Sequence, residues 1–485
     1  MRVALAGFLL AAPPVWAETI EIDPPDMVFN ASNHSLFTST RNLENEDASP
    51  ELLRSETHLR AETGRYNLGA ILSNRFAVAK QDGADIPIVL EKKFINFESD
   101  EWRVTLGDSH HEVGRGIALA LFRDETFGID STVEGGSVQY SPTSWDFKVF
   151  GGRAKSLFAP VTLIPFQSPL FNREIWLGHV GVKHKWAQTQ LGAHYVLTLN
   201  RPLSTMTIDK RWHTGGVTLN AEGFAPGWDA YAEANVMANE VVGSSTNGPT
   251  AYGSYGSLIF SPVPWKFKLE ARDYRNYQYD FHRPPTMEED IVTSLNFSNI
   301  TAARLSVERR VGVLNTVRAS LLAGNDRILN TTVRHAVAAL KWKFGDVAVE
   351  GRSGYRWLQG QSDLLHGDIK TKIPTFSGQF IELGYRKLHG FNNLNVMPTL
   401  DDRNFFDLAY TFSPHWSVNV GVEYVPSNPT DIGQQFLNVG TLVKVDSFTS
   451  RAFVGATSGG PQCSGGICRM VPAYSGMMVE GTYAF

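Results

Sequence analysis

The chain has 485 residues, 42% hydrophobic and 11% aromatic, with 43 glycines and a formal net charge of −5. So slight a negative balance gives no basis for nucleic-acid binding, and no stretch reaches the ~20 apolar residues a spanning helix needs, which excludes a helical inner-membrane protein. No linker rich in Pro, Ser or charge divides the chain, so a single unit is expected to absorb the length.

Residues 1–17 carry Arg2, the apolar run Val3 to Leu10, and Val15-Trp16-Ala17 in the small-x-Ala form that signal peptidase accepts. The expectation is an exported protein cleaved after Ala17, with a short periplasmic segment over 18–33 and a barrel over 34–485. From Trp102 onward, segments of about ten residues alternate apolar and polar, the period of a strand with lipid on one side and water on the other. In Trp265 to Arg275 the outward set is Trp265, Phe267, Leu269 and Ala271, and the inward set is Lys266, Lys268, Glu270 and Arg272. In Trp416 to Val425, Val418, Val420 and Val422 face lipid while Ser417, Asn419 and Glu423 face the lumen. Similar readings hold at Trp228 to Asn239, Ala302 to Val311, Asn315 to Gly324, Arg334 to Phe344 and Val347 to Trp357. A soluble sandwich could not carry so many charges on the opposing face of nearly every strand.

Four tight turns open the next strand with Trp: Ser141 to Trp145, Phe224 to Trp228, Ser261 to Trp265 and Ser413 to Trp416. Proline presets the turn torsion and Trp suits the membrane interface, so these read as periplasmic turns. Longer polar connections, such as Ala154 to Glu174, Tyr277 to Asn299 and Ser458 to Tyr474, fall on the opposite, external side. The expected fold is all-β: a single large antiparallel transmembrane β-barrel of about 22–24 strands, range 18–24, with short periplasmic turns and longer external loops.

The final residues, Met477 to Phe485, alternate in the same way, and Tyr483 with Phe485 resembles the signal read by the bacterial barrel-assembly machinery. That machinery and outer-membrane lipid are the partners this reading implies.

Inward positions mix both signs, and the candidates for the lumen or a constriction are Arg115, Lys266, Lys268, Glu270, Arg272, Arg304, Glu308, Arg310, Glu350 and Arg352. A ring of one sign would suggest ion selectivity; a mixture suits cross-strand pairing on a hydrated wall. Residues 107–130 break the alternation, and Gly114 and Gly116 flank Arg115 there. Glycine permits unusual torsions beside a charge, so this segment is either a loop folded into the barrel or an ordinary outer loop. His110, His111 and Glu112 have no third ligand at metal spacing, and no cofactor motif, phosphate loop or serine elbow is present. Cys463 and Cys468 are the only cysteines, and in an oxidising exported compartment a disulfide tying the last external loop is expected.

On Cys463, Gly466, Cys468, Arg469, Pro472, Tyr474 and Gly476, with Gly114 to Leu119 and Gly128-Ile129-Asp130, the sequence resembles an uncharacterised family of bacterial outer-membrane β-barrel proteins, a domain of unknown function. The resemblance implies an outer-membrane barrel and carries no catalytic residue or cofactor. The expected function is a porin-like or substrate-conducting channel for an unknown solute. The alternatives are a scaffold for surface proteins and, more weakly, an exopolysaccharide exporter or a barrel enzyme.

Overall fold

The computed structural model describes residues 27–42, 51–77, 86–124, 129–158, 173–202, 210–241, 250–277, 285, 287, 299–327, 330–359, 363–376, 378–391, 403–425, 434–457, 460–464, 467–471 and 474–484. Residues 1–17 and Phe485 lie outside them, so cleavage after Ala17 and the terminal Phe are expectations on undescribed residues.

Twenty-four strands form one closed antiparallel barrel. Each pairs with its neighbour in chain order, and the first strand, Met27–Asn42, closes the ring on the last, Tyr474–Ala484, with Ser35 opposite Gly481 and Phe37 opposite Val479. An even strand number puts the start of the first strand and the end of the last on one side, with the short turns. Closure also leaves no open edge among the barrel strands, which a backbone in hydrocarbon requires.

The tight turns fall where the Pro-Trp repeat placed them, at 143–144, 226–227, 263–264 and 414–415. Just above them an outward aromatic belt is stacked: Trp102 on Tyr140 at 4.4 Å, Trp228 on Phe260 at 4.4 Å, and Phe412 on Trp416 at 4.3 Å. Each ring offers apolar surface to lipid beside a wet interface, and each such pair adds about 0.5–1.5 kcal/mol beyond its burial. Higher up, Leu321, Val180 and Val217 are outward and exposed, as a lipid-facing wall demands.

Three boundaries differ from the sequence reading. The first strand opens at Met27, inside the 18–33 stretch expected to precede the barrel. Strands run past their ten-residue segments toward the external side, so Trp145–Phe158 and Arg173–Trp186 occupy parts of the expected loop Ala154 to Glu174. The break at 107–130 narrows, because Trp102–Ser109 and Ile129–Tyr140 pair with each other and extend into it from both ends. The physical reason is common to all three: beyond the bilayer the ladder still satisfies backbone N–H and C=O groups, and the outward side chains no longer have to be apolar. The apolar signal therefore stops before the strand does. Asp363–Pro374 is a regular barrel strand.

Candidate functional site

Between Trp102–Ser109 and Ile129–Tyr140 the chain leaves the wall and builds a small hairpin, His111–Val113 paired with Leu119–Leu121. Its tip turns on Gly114 (φ 64°) and Gly116 (φ 76°), torsions that suit glycine. The hairpin packs against inward side chains of the barrel. Val113, Ala118, Leu119 and Leu121 form a cluster with Val133, Phe150, Leu177 and Val196. Ile117, wholly buried, joins a second cluster with Met237, Tyr255, Tyr274 and Ile300. An apolar cluster inside a barrel wall is a packed filling, and at about 25 cal/mol per Å² of buried apolar area it holds the hairpin against the wall.

The tip is fixed by polar contacts. The backbone N–H of Arg115 donates to Oε2 of Glu233 at 2.8 Å, and the Arg115 guanidinium lies over the Tyr231 ring at 4.0 Å and faces the Tyr255 ring at 5.7 Å. Glu233 also accepts from the Tyr231 hydroxyl at 2.6 Å and from Asn235 Nδ2 at 2.8 Å, and Asn235 Oδ1 in turn lies 2.7 Å from His194 Nε2. Each of these donors is aimed at the Glu233 carboxyl, and the Arg115 cation rests on the two tyrosine rings beside it.

At the base of the hairpin, His111 stacks on Phe150 at 4.0 Å, and the other face of Phe150 meets His179 at 4.7 Å. Burial, then the charges of Lys148, His179 and His110, pushes the His111 imidazole down to about 3. It is neutral in the docked hairpin at ordinary pH. His110 is exposed while His111 is buried, and among the described residues no group of three or more His, Cys, Asp or Glu could hold a metal.

A second cluster sits on the neighbouring wall. Glu270 is 2% exposed and accepts from the Tyr255 hydroxyl at 2.6 Å, from Arg304 Nε at 2.7 Å and from Arg304 Nη2, with Lys268 Nζ at 2.9 Å. Arg304 also donates to the Met287 carbonyl at 2.8 Å, so a residue of the long connection after Arg275 is drawn into the lumen. Removing one partner of such a buried pair costs about 3–5 kcal/mol. Further round, Gly354 carries no side chain, and over it His335 Nε2 approaches His366 Nε2 to 2.8 Å.

Of the sequence candidates, Lys268, Glu270 and Arg304 thus come together, Arg115 docks beside them on Tyr255, and Arg272 is buried on the same strand as Glu270. Arg352 pairs separately with Asp368 at 2.7 Å. Lys266, Glu308, Arg310 and Glu350 lie toward the short-turn side. There Lys266 is opposite Glu308, and Glu350 is 3.2 Å from Lys341 in an exposed pair of the kind worth about 0–1 kcal/mol. Cys463 is opposite Cys468 in a two-stranded hairpin of its own. Tyr483 is opposite Phe448 and Asn33 at the closing seam.

Tyr231, Tyr255, Asn235 and His194 were not among the sequence candidates. A usable signal lay in the strand Trp228–Val241, where the outward residues Ala230, Ala232 and Ala234 are smaller than the inward Tyr231, Glu233, Asn235 and Met237. Bulk on the water side of a barrel strand means something packs there.

Comparison with known proteins agrees with this architecture. Residues 399–485 match a family of unknown function (DUF6029), well under half of the chain. The earlier glycine motifs at 114–119 and 128–130 lie outside that match. No curated protein matches the sequence. In fold the chain is similar to the siderophore receptor PirA from Pseudomonas aeruginosa, at 10% identity and a TM-score of 0.50, over 96% of this chain and 81% of that one. It is more distantly similar to the P pilus usher (PapC) translocation pore, at 10% identity and 0.45 over 95% and 99%, and to the FrpB iron transporter from Neisseria meningitidis, at 10% and 0.48 over 94% and 82%. Likenesses at this identity speak to fold alone: this is a barrel of the outer-membrane type, and the expected resemblance to an uncharacterised outer-membrane barrel family stands.

Proposed function

We propose that the protein is a substrate-conducting outer-membrane channel whose lumen is obstructed by the docked 110–121 hairpin. The observation that carries this reading is the tip contact, Arg115 against Glu233, Tyr231 and Tyr255. It is a local, polar attachment between a short insertion and the inner wall, and the insertion is joined at both ends to strands that pair with each other. Below it, toward the short turns, the inward wall carries exposed charges of both signs, Lys183, Lys266, Arg310, Lys341 and Glu350, which suits a hydrated path for a polar solute. Glu270 is held by Arg304, Lys268 and the Tyr255 hydroxyl and Glu233 by neutral donors, arrangements that serve structure, and the reading is of a non-enzyme. It includes export with cleavage after Ala17, recognition of Tyr483 and Phe485 by the barrel-assembly machinery, and a disulfide between Cys463 and Cys468.

Planar-bilayer recording of the purified protein tests it. Deleting Gly114 to Phe122 is expected to raise single-channel conductance several-fold while the barrel stays heat-modifiable on gels. No conductance before or after the deletion would favour the alternative, a non-conducting scaffold for surface proteins.

A further inference from the structure

On the outer, lipid-facing wall the strands from Trp265 to Leu358 enclose a groove of about 620 Å³. Its floor is a patch of small side chains, Ala303, Ala323 and Ala336, and its flanks are Leu321, Tyr355 and Trp357. Leu321 is 62% exposed and Tyr355 44%, so the flanks stand proud of the floor. The groove lies in the external half of the wall: Ala323 is near the end of Asn315–Asp326, which leads away from the short turn, and Trp357 is near the corresponding end of Val347–Leu358.

Its external end is basic. Arg334, exposed near the start of Thr331–Phe344, lines the groove and holds its guanidinium over the Trp357 ring at 5.2 Å. Arg334 is directly opposite Ala323, and Arg327 lies just past the outer end of that neighbouring strand, Asn315–Asp326. Arg327 pairs with Asp273 at 2.7 Å, and Arg275 pairs with the same carboxylate at 3.1 Å. Beyond the groove, Arg275 and Arg327 thus share the Asp273 carboxylate, while Arg334 stands apart over Trp357 and the other flank carries Asp363, which accepts from the Tyr355 hydroxyl at 2.5 Å.

The combination matches one occupant in charge and shape. We propose that this groove binds a phosphorylated, acylated lipid of the outer leaflet, with an acyl chain along the alanine floor and a phosphate on Arg334 at the membrane surface. Small residues recess the wall so that a chain gains contact on three sides, where a flat wall offers one. The stacked guanidinium is pre-oriented and presents paired N–H donors to phosphate oxygens, a geometry a lysine would not supply. Arg275 and Arg327 offset Asp273 and Asp363, which leaves Arg334 as the excess positive charge at this end of the groove.

The full-length protein, purified in mild detergent and stripped of endogenous lipid, is titrated with bis-phosphorylated lipid A and, separately, with the dephosphorylated form carrying the same acyl chains. Native mass spectrometry reads the bound fraction. The wild-type protein is expected to hold the phosphorylated lipid at least tenfold more tightly. Arg334→Glu should erase that preference and leave weak acyl binding, whereas Ala323→Phe, which fills the trough, should lower binding of both forms. Val422→Phe, on a distant part of the outer wall, should change neither. Heat-modifiable migration identifies variants that fold, and Arg334→Gln serves if the charge reversal fails to assemble. Equal affinity for the two lipids, or an undiminished preference in a folded Arg334 variant, would overturn the assignment.

Discussion

The backbone of Gly114 passes so close to Glu233 that a Cβ at position 114 would fall 2.1 Å from the Glu233 Oε1 atom. The carboxylate is itself held by Tyr231 and Asn235, so a retreat would break those hydrogen bonds. The left-handed torsion at Gly114 adds a second demand for glycine.

Gly114→Val should therefore undock the hairpin tip and leave the barrel intact. The expected outcome is larger conductance than wild type, with faster modification of a cysteine placed at Arg115 by a lumen-accessible reagent. Labelling as slow as in the parent Arg115→Cys protein would show that the tip contact is not what holds the hairpin.

Acid should loosen the same hairpin. Docked His111 has its pKa lowered to about 3, against 6.5 for a free imidazole. Above pH 6.5 both docked and undocked forms are neutral and the docking stability is complete. As pH falls below 6.5 the undocked form takes up a proton that the docked form refuses, so docking weakens by up to roughly 1.4 kcal/mol per pH unit until about pH 3. Protection factors of the amides of residues 111–121, which correct for the slower intrinsic exchange in acid, should fall over that window in wild type, and in His111→Phe the His111 contribution to that slope should disappear. An unchanged pH slope in the variant would remove His111 as the cause.

The two faces of one strand offer a sharp contrast. Val420 is outward, opposite Val439 and Leu408, and its neighbour Asn419 is inward, opposite Gly440. Val420→Arg should cost about 2–4 kcal/mol in refolding experiments into lipid vesicles, and Asn419→Arg should be near neutral. Comparable losses at both positions would contradict the facing.

Cys463 and Cys468 occupy opposed positions of a small external hairpin. Non-reducing mass mapping should find them joined. Replacing both with Ser should leave the barrel assembled and cost at most about 2 kcal/mol, because so short a ring removes less unfolded-chain entropy than a long one. A large loss of folded barrel would show that the hairpin supports the wall.

The wall of this protein was legible in its sequence because everything that defines it is local. Alternation at Trp265 to Arg275 or Trp416 to Val425 sets which side chains meet lipid, Pro-Trp turns set direction, and an even series of such segments sets closure. Each signal lies within a dozen residues and answers to the bilayer, a solvent known in advance. The filling of the lumen was not legible in that way. Arg115 reaches Glu233 and Tyr255 from more than a hundred residues away in the chain, His335 and His366 meet only because Gly354 lies between their strands, and the alanines of the outer groove belong to three different strands. Those contacts depend on register and on which strands the closed barrel brings face to face, and packing between distant segments leaves no period in either sequence. Tertiary structure alone decided that the charges inside this barrel are buried and paired in one half and wet in the other.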